Sequence, residues 1–79
     1  MRKQMTEEIR IIVQSKIDSI PQNVEFGVKK LMGDDWRDVA NKQQFGTMFK
    51  DALRDGRLVN IVHDRLENSP RHDVYRKIS

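Results

Sequence analysis

The sequence predicts a single α+β domain of three to four helices with a small antiparallel β-hairpin at its end. Three observations predict it. Apolar residues recur at helical spacing in two separate stretches, from Ile9 to Ile17 and from Phe45 to Leu53. Glycine and proline punctuate the chain between and after them. Two runs rich in branched residues then close the chain. With 79 residues there is room for one core and no second one.

Taken in order, the first helix is expected over residues 6–19. Thr6 is a suitable N-cap, and Glu7 and Glu8 place carboxylates where the helix dipole favours them. Ile9, Ile12, Val13 and Ile17 supply the apolar recurrence, facing either this chain's core or a second copy. Pro21 stops the helix and pushes Ile20 towards extended geometry. Val24-Glu25-Phe26 reads as a short strand, and Val28 to Met32 as a short helix ended by Gly33. Asp34 can cap another helical piece from Asp35 to Ala40, which buries Trp36 and Val39 as anchors in the core or at its edge.

Asn41 opens the best-defined element, a helix over residues 41–55. Its side chain can cap, and Gln44 stands three positions on, as a capping box requires. Phe45, Met48, Phe49, Ala52 and Leu53 form a continuous apolar stripe, and Gly56 ends the helix. Residues 57–78 are expected to form a hairpin. Its strands are Leu58 to Val62 and Val74 to Ile78, and Asp64 to Arg71 form a long polar loop between them. A lone hairpin is marginal in water, so it must pack on the helices or pair with the strand at 24–26.

Composition narrows the function. The chain has no cysteine, which excludes a disulfide and a thiolate metal site. No apolar run approaches the ~18 residues that span a bilayer, so no membrane partner is expected. The opening residues lack the apolar stretch of a secretion signal, and the expected location is cytoplasmic. The net charge is +3. Residues 1–40 hold seven Lys/Arg and seven Asp/Glu, whereas residues 41–79 hold eight and five, so the whole excess lies in the second half. That asymmetry suits an anionic partner contacted there, although a solvated surface explains it as well.

The order helix, short strand, short helices, longer helix, hairpin resembles the winged helix-turn-helix domain. The residues carrying the resemblance are the Phe26 strand, the Trp36 region, Phe45 to Gly56, and Val74-Tyr75-Arg76-Lys77-Ile78. The stretch Phe49 to Leu58 is similar to the end of a recognition helix, where a glycine leads into the first wing strand. Phe26, Val28, Leu31, Trp36, Phe45, Gly46 and Phe49 also form a pattern similar to that of small uncharacterised bacterial and phage proteins. The resemblance spans about residues 24–78 and implies a winged-helix fold. It implies little about activity.

A candidate site can be built without it. With about 100° per residue and Lys42 at the origin, the apolar stripe lies between about 240° and 20°. Gln43, Thr47, Lys50 and Arg54 fall together between about 80° and 140°, on the opposite side. Such a face is what the major groove admits and what base edges need. Gln43 and Thr47 suit base or sugar contacts, whereas Lys42, Lys50 and Arg54 suit phosphates. The hairpin loop adds Arg65, Asn68, Ser69, Arg71 and His72 against phosphates or the minor groove. Gly46, at about 40°, permits a close approach of backbone, either to another helix or to a ligand. Asp51 and Asp55 on the same helix oppose a phosphate partner, and the face can equally be no more than solvated surface.

Catalytic chemistry has no comparable basis. His63 and His72 lack the spacing of a helical metal pair, and there is no glycine-rich phosphate loop or serine in a nucleophile context. The expectation is a non-enzyme without cofactor or metal. It is a small nucleic-acid-binding protein, a DNA-binding transcriptional regulator whose partner is double-stranded DNA and which can act as a homodimer. A protein-interaction module on the same scaffold, of the adaptor or phage-inhibitor kind, is the alternative.

Overall fold

The computed structural model describes residues 4–68 and 71–79. They form a small α+β structure in which α1 (Glu7–Asp18), α2 (Val28–Met32) and α3 (Lys42–Arg54) surround one side of a three-stranded antiparallel sheet. The strands are β1 (Glu25–Phe26), β2 (Ile61–Asn68) and β3 (Arg71–Lys77), in the order β1-β3-β2. A 3-10 helix, Gly33–Asp38, joins α2 to α3.

The helices begin where their capping residues stand. The Thr6 hydroxyl accepts the Ile9 N–H at 3.2 Å, and Asn41 Oδ1 accepts the Gln44 N–H at 2.9 Å. Each satisfies one of the donors that a helix N-terminus leaves orphaned. α3 ends against Gly56, whose φ of 79° a side chain would resist. The helical piece expected over Asp35 to Ala40 lies earlier and is a 3-10 helix that starts at Gly33. Trp36 stands in it half-buried, edge-on to Phe45 with ring centroids 6.2 Å apart.

The core gathers Val13 and Ile17 of α1, Phe26 of β1, and the Phe45, Met48, Phe49 and Ala52 stripe of α3, with Leu58, Ile61 and Tyr75 closing it from the hairpin. Val13 and Ile17 face this core, whereas Ile11 and Ile12 remain about half exposed. At the end of β3, Lys77 is buried, and its ammonium donates to the Ile20 carbonyl at 2.9 Å. A cation just beyond the C-terminus of α1 meets the negative end of the helix.

The hairpin departs from expectation in two places. Leu58 to Asn60 are not strand. Asn60 adopts a φ of 72°, which breaks the extended run, and Leu58 turns into the core. The backbone of Val59 is taken up by a side chain instead: Gln14 donates to its carbonyl at 3.2 Å and accepts from its N–H at 3.0 Å. The long loop expected from Asp64 to Arg71 is mostly ladder, with β2 and β3 paired as far as Asn68 and Arg71. Its charges gave it the look of a loop, but they satisfy one another along the strand, Arg65 with Asp64 and Glu67. Ser69 and Pro70 lie outside the described residues.

Gln14 therefore pins the α3–β2 connection to α1 through two hydrogen bonds 45 positions apart in sequence. Gln14→Ala should lower stability by about 1–2 kcal/mol, measured as a shift in the urea midpoint at unchanged slope. An unchanged midpoint would mean that water replaces the amide without cost.

Candidate functional site

The ladder that replaces the expected loop creates a concavity. The outer face of α3, α2 with the 3-10 turn, and the distal half of the hairpin enclose an open groove of about 1330 Å³. α3 lends Lys42, Gln43, Gly46, Thr47, Lys50 and Asp51 to it, α2 lends Lys29 and Lys30, and the hairpin lends Leu66, Arg71, His72 and Asp73. The apolar stripe of α3 is buried while Gln43, Thr47 and Lys50 on the other side are exposed. Amphipathicity is thus what turns this face towards the groove.

Of the seven side chains proposed from sequence, Lys42, Gln43, Thr47, Lys50 and Arg71 line this one groove. Arg54 and Arg65 do not. Arg54 lies beyond the groove's end, beside Asp51 at 3.4 Å and Asp55 at 3.3 Å. Arg65 is displaced by a β-bulge. In a regular strand it would share a face with His63, but the register shifts between them, so that His63 pairs with Tyr75 and Arg65 with Val74. The inserted residue, Asp64, re-aims the strand positions beyond it. Arg65 then bonds Glu25 on β1 at 2.9 Å and Glu67 at 2.6 Å, with Asp64 at its other nitrogen. These partners raise its already high pKa further, Glu25 most, and its charge is neutralised several times over.

The groove is charged differently. It holds five basic side chains (Lys29, Lys30, Lys42, Lys50 and Arg71) against two carboxylates, Asp51 and Asp73. Lys50 approaches Asp73 at 3.3 Å. Lys42 donates to the Val39 carbonyl at 3.2 Å and sits 5.7 Å from the Trp36 ring centre. Lys29, Lys30, Lys42 and Arg71 have no carboxylate partner among the described residues. Lys29 and Lys30 escaped the sequence reading, because a lysine pair between Val28 and Leu31 resembles any solvated helix face. Only the tertiary fold brings α2 opposite α3.

At the groove's edge Asp73 also accepts from the His63 ring at 2.8 Å, and His63 packs edge-on to Tyr75. Tyr75 is fully buried, and its hydroxyl has no hydrogen-bond partner among the described residues. Burial, helped by Asp73, pushes its pKa up, so the phenol stays a donor at neutral pH. Among the described residues no group of three or more His, Asp or Glu could hold a metal ion, and no helix is long and apolar enough to cross a membrane.

A family described as Domain of unknown function (DUF1413) matches residues 12–77, from within α1 to the end of β3. The chain belongs to the DUF1413 family. No curated protein and no solved structure matches it. The groove and every basic side chain in it lie inside the DUF1413 match.

In this DUF1413 chain the Asp73 carboxyl is shaped by opposing effects. Burial raises its pKa, but the His63 hydrogen bond and the Lys50 ammonium together outweigh burial and hold it below the ordinary value of 3.8. A carboxyl with a depressed folded pKa stabilises the fold above its unfolded pKa, and that stabilisation is lost as pH falls through the folded value. Thermal stability should therefore drop on acidification below about pH 4. Asp73→Asn should make that drop shallower in melts recorded at stepped pH. An identical acid profile in the variant would show that Asp73 is not held by His63 and Lys50.

Proposed function

We propose that this DUF1413 chain is a nucleic-acid-binding module of winged-helix form, a small DNA-binding transcriptional regulator that engages double-stranded DNA through α3 and the hairpin. The element order supports the form, with β1 added to the β3 edge of the terminal hairpin. One observation carries the function: the groove between α3 and the hairpin concentrates five basic side chains against two carboxylates, and four of the five have no carboxylate partner among the described residues. Unpaired cations around a concavity form a phosphate-binding surface, because neutralising phosphates releases condensed counterions. Gln43 and Thr47, exposed between the lysines, supply the polar contacts that base edges or sugars need.

Arg54 and Arg65 are left out of this contact set because carboxylates already surround them. The second reading, a protein-interaction module of the adaptor or inhibitor kind, draws on the half-exposed Ile11 and Ile12 of α1, well away from the groove in sequence.

Binding to mixed-sequence duplex DNA across a salt series separates the two. Five phosphate contacts give a log–log slope of about −4.5. Lys42→Gln with Arg71→Gln should make the slope shallower by about 2, whereas Arg54→Gln with Arg65→Gln should leave it nearly unchanged. If the two double variants weaken binding equally, the groove is not the site. A parent protein with no salt-dependent binding favours the protein-interaction reading.

A further inference from the structure

Helix α3 carries a glycine in its second turn for which the protein itself gives no reason. An interior glycine costs a helix up to about 1 kcal/mol relative to alanine, so it is kept where something comes close or where φ is positive. Gly33 and Gly56 have positive φ, and a Cβ on Gly27, outside the helices, would make only ordinary contact with His72 at 3.5 Å. A Cβ on Gly46 would meet nothing within 4 Å. Packing of another element against α3 is therefore not what calls for this glycine.

Gly46 opens instead onto the groove. Lys42, Gly46 and Lys50 stand at intervals of four, a column in which each lysine lies about 6 Å along the axis from the glycine. The missing side chain leaves a gap in the column with a lysine one turn away on either side. Lys29 and Lys30 face it from the other wall. Lys50 also reaches Asp73 at 3.3 Å, yet the basic side chains around the gap outnumber the carboxylates, and such a surface selects an anion.

We infer that a phosphate of the DNA backbone seats against the helix at Gly46, held between Lys42 and Lys50, and that the glycine is there to let it approach. The inference rests on the DNA-binding reading above and adds to it the position of one backbone phosphate. A side chain at residue 46 stands where the phosphodiester lies, so substitution weakens binding by steric exclusion and leaves the number of charge contacts unchanged.

The test compares the parent with Gly46→Ala and Gly46→Gln on the same duplex DNA, by salt titration and thermal melting. Both variants should melt higher than the parent, since each replaces glycine by a better helix former in open space. Gly46→Ala should bind about fivefold more weakly and Gly46→Gln about fiftyfold more weakly, with the salt slope of the parent. A parent that binds DNA while both variants bind equally well overturns the seating at Gly46 and leaves DNA binding standing. A parent that does not bind DNA overturns both. Variants that melt lower than the parent overturn the inference too, because the glycine then serves the fold.

Discussion

The ring of Phe49 lies against that of Tyr75 with centroids 4.8 Å apart, and both side chains are fully buried. This contact joins the middle of α3 to the middle of β3, and Phe26 on β1 meets the same tyrosine at 6.0 Å. A buried aromatic pair adds about 0.5–1.5 kcal/mol beyond the area it hides, a large amount for a domain this small. It also fixes the rotation of α3. With Phe45, Met48, Phe49 and Ala52 inside, Gln43, Thr47 and Lys50 have no direction left but outwards, into the space bounded by α2 and the hairpin. The groove is a consequence of the core.

Charge on this surface is sorted by the same geometry. On β2 the bulge at Asp64 sends Arg65 to join Glu25, Asp64 and Glu67, a cluster in which carboxylates outnumber the arginine. Such exposed pairs contribute little stability each, and they leave no net field to attract an anion. Around the groove the balance is reversed, with Lys29, Lys30, Lys42 and Arg71 lacking carboxylate partners among the described residues. Cations left unpaired near one another repel, a cost that a bound anion removes. Two arginines prominent in the sequence thus carry less weight than two lysines that attract no notice there.

Most of the helical architecture was legible in the sequence, because Thr6, Asn41 and Gly56 mark helix ends by local chemistry and the stripe from Phe45 to Leu53 has an unambiguous period. The hairpin was legible in kind but not in extent. Arg65 to Asn68 form strand because Val74 to Arg71 lie opposite them in the ladder, and such partners cannot be seen along the chain. Val59 read as strand, but its backbone bonds to Gln14 across the fold. The polar side of α3 was legible from its period. The other wall was not, since only the packed arrangement of α2 puts Lys29 and Lys30 opposite it.

The central claim, that the groove beside α3 is where this DUF1413 chain meets DNA, is tested most directly by amide chemical shifts tracked during titration with a duplex. The account predicts that the amides of Lys29, Lys30, Gln43, Gly46, Thr47 and Arg71 move together and saturably, while those of Glu25, Arg65 and Arg76 stay in place. Shifts centred on the exposed network around Arg65, or on Ile11 and Ile12 of α1, would contradict it.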